Sequence, residues 1–295
     1  MRTRLETSVV FFLASLVSVA AVRADLVTGY VQRFNDPATN YSAGVWTAEV
    51  GANATAADLS FFSVINAATP SGLSALSNLT ADDNAKLSFN LSGGWAASGF
   101  TVMGVAKLNA EQGNGRGPLG SPETASWSGA RLGIGTTGTG NLRIEAGNTN
   151  PGDEGGDTAL RANGNSLIPV GEWFIFTETV VGNNGSGQAV ATLSIYALDD
   201  LSSLGVATKS VSAGDIQGIS STTNMFSNSS NGGWQAAMAD LVIYNSVLSA
   251  GDIAANTAYL QTTYLTGSSV PEPGTIVLLG SAAVGLLAYA WRKRK

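Results

Sequence analysis

The chain lacks two residue types that much of enzyme chemistry needs, because its 295 residues include no cysteine and no histidine. The absence of cysteine excludes disulfide bonds, and the absence of histidine excludes Ser-His-Asp and Cys-His catalysis. Zinc sites also lose their usual nitrogen and sulfur ligands. Charged residues are scarce, at 12% of the chain, whereas glycine is frequent, with 36 residues. This composition is typical of a secreted β-protein rather than of a helical cytosolic enzyme.

The first 24 residues have the organisation of a secretory signal peptide. Arg2 and Arg4 form a positively charged start, an apolar run extends from Val9 to Val22, and a cleavage point is expected after Ala24. A short core helix is the alternative, but the segment has no amphipathic period. We therefore predict an exported chain whose body begins near Asp25.

The C-terminal sequence VPEPGTIVLLGSAAVGLLAYAWRKRK, residues 270–295, contains three ordered parts. Pro271, Glu272 and Pro273 precede 17 uncharged residues, 275–291, and the basic residues Arg292, Lys293, Arg294 and Lys295 follow. A helix of that length extends about 25 Å, which is at the short limit for a bilayer core of about 30 Å. The basic cluster is expected to stay cytoplasmic, which leaves the body outside. A permanent anchor, a removable sorting address and a buried core helix are the alternatives, and the basic cluster disfavours the third.

These two ends divide the chain into a signal peptide (1–24), a body (25–266) and a sorting segment (267–295). The body up to Ser269 has 8 basic and 19 acidic residues, a net charge of −11. An acidic body repels nucleic acid and anionic lipid, so we predict no nucleic-acid partner.

Short β-rich segments between clusters of glycine, asparagine and serine predict an antiparallel β-sandwich for the body. Residues 173–197 are expected to form a hairpin across the turn GNNGSG (182–187). Long polar loops are predicted at 109–129 and 147–166. The other strands are predicted at 47–50, 87–91, 100–108, 130–135, 141–146, 207–212 and 238–244.

One helix is predicted in the body, because the apolar period changes to that of a helix over 246–265. Ser249 is a suitable N-cap, and Asp252 stands three residues later, as in a capping box. The helix would then close the body immediately before the sorting segment.

Residues 239–265, ADLVIYNSVLSAGDIAANTAYLQTTYL, resemble the closing segment of laminin-G-like domains, which have the concanavalin A-like jelly-roll fold. The matching residues are Ile243-Tyr244-Asn245, Leu248-Ser249, Tyr259-Leu260 and Tyr264. The segments 99–109 and 170–180 are similar to earlier strands of that family. This resemblance implies an all-β fold, an antiparallel jelly-roll β-sandwich with one short C-terminal helix, and it extends over 99–265.

The C-terminal sequence resembles a PEP-CTERM sorting signal in all three of its parts. That resemblance implies a bacterium with an exosortase, a membrane transpeptidase that processes such tails. It also implies transient anchoring in the inner membrane before release to the cell surface or the extracellular space. Proteins with this signal commonly accompany the production of extracellular polysaccharide.

Three tryptophans are candidate platforms for stacking on sugar rings. Trp95, Trp127 and Trp234 each lie in a segment rich in glycine, serine or asparagine. For each of them, packing in the core or at its rim is the alternative. Trp46 and Trp173 are expected in strands of the core.

A calcium site is predicted in the loop 147–166, where Asp153, Glu154 and Asp157 are crowded together with two asparagines. Calcium takes six to eight oxygen ligands from such loops, and laminin-G-like domains often bind it. A merely solvated loop is the alternative.

The sequence favours a non-enzymatic surface or matrix protein that binds polysaccharide, or a matrix protein, through the loops of the sandwich. A structural matrix protein with no small ligand is a second hypothesis. The alternative is a divergent polysaccharide hydrolase or lyase, which needs two carboxylates across the sugar bond. Glu172 and Glu178 are the nearest candidate pair, because their even spacing along one strand would place them on the same face.

Overall fold

The computed structural model describes residues 29–266, apart from ten short segments within that range. The segments left out are 43, 57, 83, 92–98, 114–115, 121–129, 147–159, 183–185, 213–221 and 227–232. The predicted signal peptide and the predicted sorting segment both lie outside the described residues.

The described residues form strands and a few helical turns. The helices are α1 (Pro37–Asn40) and α2 (Ala250–Gln261), with a 3-10 turn at Leu59–Phe61 and a π-helical turn at Thr262–Thr266. The strands are β1 (Tyr30–Arg33), β2 (Tyr41–Ser42), β3 (Val45–Trp46), β4 (Ala54–Ala56), β5 (Phe62–Ile65), β6 (Ala75–Asn78), β7 (Leu87–Asn90), β8 (Gly99–Leu108), β9 (Leu119–Gly120), β10 (Ala130–Ile134), β11 (Gly138–Ala146), β12 (Leu160–Ser166), β13 (Trp173–Val181), β14 (Gln188–Ala197), β15 (Ser203–Ser212), β16 (Thr222–Met225) and β17 (Ala236–Tyr244).

These strands form two sheets, and every pairing among them is antiparallel. Sheet 1 has the order β15-β14-β13-β8-β17-β6-β5, and β1 also pairs with β17. Sheet 2 has the order β12-β11-β10-β9-β16-β7-β4-β3-β2. The predicted antiparallel β-sandwich is confirmed.

The predicted hairpin of β13 and β14 and the pairing of the predicted strands β10 and β11 both follow from alternating apolar side chains. In β13 and β14 the register runs from Phe174↔Ala197 to Val181↔Val190. In β10 and β11, Leu132 pairs with Ile144, and all the apolar side chains of that pair of strands that the structure describes are buried. Because side chains alternate across a strand, this pairing directs one whole face into the sandwich.

The core lies between the sheets and includes a group of aromatic rings beside β1. Tyr30 stacks on Phe89 with ring centroids 4.1 Å apart, and Phe34 meets Trp46 edge-on at 4.9 Å. All four side chains are at most 3% exposed. Such pairs add to the free energy gained from the burial of their apolar surface. The predicted core position of Trp46 is confirmed, and the N-terminal segment is an integral part of the sandwich.

The C-terminal helix begins where the sequence predicts. The Ser249 hydroxyl accepts a hydrogen bond from the Asp252 N–H and donates one to the Asp252 carboxylate, at 3.2 and 2.7 Å. Thr257, Leu260 and Tyr264 are its buried side chains. The helix and the turn after it therefore pack along one face of sheet 1.

Three sequence predictions of strands or loops are wrong in detail, and one of them is the loop 109–129, which contains the short strand β9. Residues 47–50 do not form a strand, and only Val50 makes an isolated bridge, to Val31. The predicted loop 147–166 ends in β12, which pairs with β11 although it contains few apolar residues. A Cβ atom at Gly164 would lie 2.4 Å from the Val206 carbonyl oxygen, so the close approach of the sheets there requires glycine.

A partly buried ionic cluster joins the first strand, the last strand and the turn after α2. The Tyr264 hydroxyl donates to an Asp240 carboxylate oxygen at 2.9 Å, and the Arg33 guanidinium lies 3.6 Å from the same oxygen. Arg33 also pairs with Glu49 at 2.7 Å. Burial acts to lower the pKa of Arg33, but the charges of Asp240 and Glu49 outweigh it and raise that pKa. Burial and the charge of Asp240 raise the pKa of Tyr264, so both groups keep their protons at neutral pH.

Replacing Tyr264 by phenylalanine is expected to destabilise the fold by about 2 kcal/mol, because a 1% exposed carboxylate loses a hydrogen-bond donor. Urea denaturation of the full chain in detergent measures this change in the free energy of unfolding. Tyr41→Phe is the matched control, since no hydrogen bond from the Tyr41 hydroxyl is seen among the described residues. Equal effects at the two positions would show that the contact with Asp240 contributes nothing to stability.

Candidate functional site

Several strands of sheet 2 begin or finish at the same end of that sheet. β7 ends where β16 begins, and β9 ends beside the start of β10. β11 ends beside the starts of both β10 and β12. The chain therefore enters or leaves sheet 2 repeatedly at this end of the strands.

Several strands of sheet 1 also begin or finish at this end of the sandwich. β8 begins beside the end of β13, and β14 begins beside the end of β15. The Leu167 N–H, directly after β12, donates to the Leu204 carbonyl near the start of β15 at 2.8 Å. The end of β12 thus lies beside the start of β15. The start of β12 and the end of β15 therefore lie together at the opposite end of these two strands, where β11 and β13 finish. We call the end at which β7, β11, β13 and β15 finish the loop end.

The predicted ligand residues belong to connections that start and finish at the loop end. Trp95 lies between β7 and β8, Trp127 between β9 and β10, and Asp153, Glu154 and Asp157 between β11 and β12. All five residues lie outside the described part of the chain, so their side chains remain predictions. The topology brings the strands that hold them to one end, as is common for binding loops on a β scaffold.

Trp234 does not have the position expected of a sugar platform. Its side chain is 0% exposed, and its indole N–H donates to the Ile134 carbonyl at 2.9 Å across the sandwich. It packs beside Phe226 with ring centroids 6.3 Å apart. The prediction of Trp234 as a ligand contact is corrected to a core residue, because a fully buried ring has no face to offer a sugar.

No group of three acidic side chains close enough to hold a metal ion is found among the described residues. The residues predicted to bind calcium, Asp153, Glu154 and Asp157, lie outside that part, so the calcium site stays a prediction.

The predicted pair of catalytic carboxylates does not form. Glu172 is exposed and precedes β13, whereas Glu178 is 1% exposed and lies on the strand itself. Six residues along an extended chain span about 20 Å, and glycosidases hold their two carboxyl groups roughly 5 to 10 Å apart. Glu172 and Glu178 therefore cannot act together on one glycosidic bond.

Glu178 is an acid inside the apolar core. It points to the same face of β13 as Phe174, Phe176 and Val180, which all belong to the core. On the adjacent strands it pairs with Val102 and Leu193. One carboxyl oxygen is buried and has no hydrogen-bond partner in the part of the chain that the structure describes. Burial raises the pKa of Glu178 to about 8, so the group is mostly protonated and neutral at pH 7.

This core acid makes stability depend on pH. The carboxyl of the unfolded chain loses its proton near the ordinary glutamate pKa of 4.5, while that of the folded chain keeps it to about pH 8. Between these values the unfolded chain binds fewer protons, so rising pH favours unfolding. The full chain is expected to lose roughly 4 kcal/mol of folding free energy between pH 4.5 and 8 through this group.

Glu178→Gln should remove most of that loss, which urea denaturation at about pH 5 and about pH 8.5 measures. Glu172→Gln is the matched control, because it makes the same substitution at an exposed position outside the core. A Glu178→Gln variant with the same pH dependence as the parent chain would contradict the buried position of this acid.

A groove of about 370 Å³ opens at the end of the sandwich opposite the loop end. Trp173 lines it and is half-buried rather than in the core as predicted. Its indole N–H donates to the Ala68 carbonyl at 3.2 Å, and the Lys107 ammonium lies 5.2 Å from the ring centroid. Three acidic residues, Glu172, Asp199 and Asp200, also line the groove. Sequence analysis missed this groove, because its residues come from separate connections that only the fold brings together.

A family model decides the nature of the C-terminal segment. Residues 269–295 match the PEP-CTERM protein-sorting motif. The predicted sorting signal is confirmed. The match implies export, transit through a membrane-anchored stage and recognition by a processing enzyme of the exosortase type.

No helix in the described part of the chain is long and apolar enough to cross a membrane. The predicted span, 275–291, lies outside that part.

Comparison with curated proteins finds no match. Among solved structures, the binding domain of botulinum neurotoxin serotype D is similar at 18% identity and a TM-score of 0.43, over 78% of this chain and 51% of that one. The Trypanosoma rangeli sialidase in complex with the inhibitor DANA is similar at 12% identity and a TM-score of 0.45, over 82% of this chain and 33% of that one. The chain thus spans about half or less of these proteins. Likenesses this distant identify neither a family nor a function.

Proposed function

We propose that this chain is a non-enzymatic surface or matrix protein that binds polysaccharide, or a matrix protein, through its loop end. The observation that carries the proposal is the PEP-CTERM match at residues 269–295. That motif assigns the chain to an export system, and proteins with it commonly accompany extracellular polysaccharide. Release to the cell surface or the extracellular space, after processing by an exosortase-type enzyme, is part of the proposal.

We further propose that the body is a laminin-G-like domain of the concanavalin A-like jelly-roll type. Two features support this assignment. The last strand, β17, ends at Tyr244 and is followed after a short link by the capped helix α2. The final tyrosine of the family pattern, Tyr264, is 0% exposed and holds the turn after that helix to the sheet.

The proposal that the protein is not an enzyme has chemical support. Histidine and cysteine are absent, so the common nucleophile and base pairs are excluded. The nearest candidate carboxylate pair is separated, with Glu178 inside the core. The alternative, a divergent polysaccharide hydrolase or lyase, would need carboxylates from elsewhere on the fold. Release of reducing ends from purified exopolysaccharide by the full chain would establish that alternative.

Polysaccharide binding is tested by retention of the full chain on immobilised exopolysaccharide from the producing cells. The chain should be dissolved in a detergent without a sugar headgroup, so that the detergent does not compete. We expect retention by the parent chain and at least about tenfold weaker retention by Trp95→Ala or Trp127→Ala, as for loss of a stacking contact.

The matched control is Trp173→Ala, which removes a tryptophan at the opposite end of the sandwich and should leave retention unchanged. Loss of retention in Trp173→Ala alone would contradict binding at the loop end. Absence of retention in the parent chain would eliminate polysaccharide as the partner and leave a matrix protein.

The sorting motif is tested by replacing Pro271, Glu272 and Pro273 together with alanine in the producing cells. The processing enzyme is expected to lose its recognition sequence, so the variant should accumulate at full length in the membrane fraction. Immunoblotting of membrane and extracellular fractions measures the distribution. A control with Gly267→Ala and Ser268→Ala should distribute like the parent chain, and so would the triple variant if the motif were not used.

A further inference from the structure

A second groove lies on the face of sheet 1 that is turned away from the core, beside α2. Its volume is about 370 Å³, within the range of small-ligand sites. One wall is the surface of β13 and β14, and the other is formed by α2 together with Leu201. The groove is therefore distinct from the loop end and from the groove at Trp173.

The sheet wall is an array of hydroxyl groups. Thr177 pairs directly with Ser194, and Thr179 pairs with Thr192, so four hydroxyl side chains form a square on adjacent strands. Tyr196, two residues beyond Ser194, adds a phenol and a half-buried ring to the same wall. Hydroxyl groups both donate and accept hydrogen bonds, so the wall suits a ligand that does the same.

One of these hydroxyls has no partner. The Thr177 side chain is 3% exposed, and its oxygen is buried without a hydrogen bond among the described residues. Leaving a buried hydroxyl unpaired costs free energy, and native proteins rarely do so without a reason. Thr177 lines the groove, so a rotation of its side chain about χ1 would bring this hydroxyl to a ligand placed there, which would supply the missing partner.

The opposite wall is largely apolar, because the hydroxyl of Thr257, which also lines it, donates to the Ile253 carbonyl within α2. Ile253, Ala254 and Leu201 present aliphatic groups, and none of the lining residues is Asp, Glu, Lys or Arg. A charged ligand would lose its hydration there without gaining an opposite charge. A neutral ligand with an apolar face and a hydroxylated edge fits both walls.

We propose that this groove binds a neutral pyranose unit, with its hydroxyl edge against Thr177 and its neighbours and its C–H face against α2. The inference deepens the proposed polysaccharide binding by adding a subsite on the sheet face, and its biological role rests on that function. The groove holds one or two sugar rings, so it suits a chain end or a side branch. The matched pairing of four hydroxyls on two strands distinguishes it from an ordinary surface depression.

Saturation-transfer NMR tests this subsite with maltose, cellobiose and N-acetylglucosamine as probes, on the full chain in a detergent without a sugar headgroup. At least one neutral probe is expected to receive saturation at its ring protons. Glucuronic acid and glucosamine are expected to receive none, because the groove lacks a charged partner. Thr177→Val, which keeps the shape and removes the hydroxyl, should weaken binding about tenfold.

The same variant should not lower the melting temperature, because the hydroxyl that it removes has no hydrogen-bond partner among the residues that the structure describes. Ala254→Phe fills the groove from the helix side and should abolish the signal. Thr55→Val, the same substitution on sheet 2, is the matched control and should bind like the parent chain. Trp95→Ala and Trp127→Ala should also keep the signal, which separates this subsite from the proposed loop-end site.

Three results would overturn the inference. They are the absence of saturation for every neutral probe, equal binding by Thr177→Val and the parent chain, and a signal that Ala254→Phe leaves intact. Loss of melting temperature in Thr177→Val would also contradict it, since the hydroxyl would then be part of the fold. Retention on exopolysaccharide without any of these small-probe signals would leave the proposed function standing and eliminate the subsite.

Discussion

The fold depends on β17, the last strand of the body, because it lies in the middle of sheet 1. It pairs with β8 along its whole length on one side and with β1 and β6 on the other. All nine of its residues are buried. The pairing Tyr30↔Ile243 joins the two ends of the body, so the sheet closes only after almost the entire body is available. Pairings this distant in sequence are slow to form, because the entropy of closing a long loop is lost before the contacts are made.

The same strand determines where the body ends. Asp240 of β17 holds Tyr264 and Arg33, so both termini of the body are tied to one buried carboxylate. Tyr264 is the last of these tied residues, and the sorting motif begins at residue 269. Only a short segment therefore separates the last tied residue from the signal. The body and the short sorting signal differ in composition and in role. The body is an acidic β-sandwich, whereas the C-terminal segment is a sorting signal.

Sequence patterns predicted the parts of the fold that depend on local alternation. The hairpin of β13 and β14, the strands β8 and β17 and the Ser249 cap all follow from side chains close in sequence. β12 was missed because its backbone pairing is supported by a close sheet contact at Gly164 rather than by apolar residues. Trp234 was misplaced because its glycine-rich context is typical of a loop, whereas a partner 100 residues away, Ile134, holds it in the core. The hydroxyl square at Thr177 depends on register, which alternation alone does not provide, although the apolar neighbours of Glu178 did contain the signal for its burial.

Residues 269–295 match a sorting motif, and we propose that this C-terminal segment is removed once the body is outside. Intact mass measurement of the protein recovered from the cell surface or the medium tests it most directly. We expect a mature chain that begins near Asp25 and lacks the apolar segment 275–291 together with the basic residues after it. A mature chain that still ends at Lys295 would contradict processing and make the segment a permanent anchor.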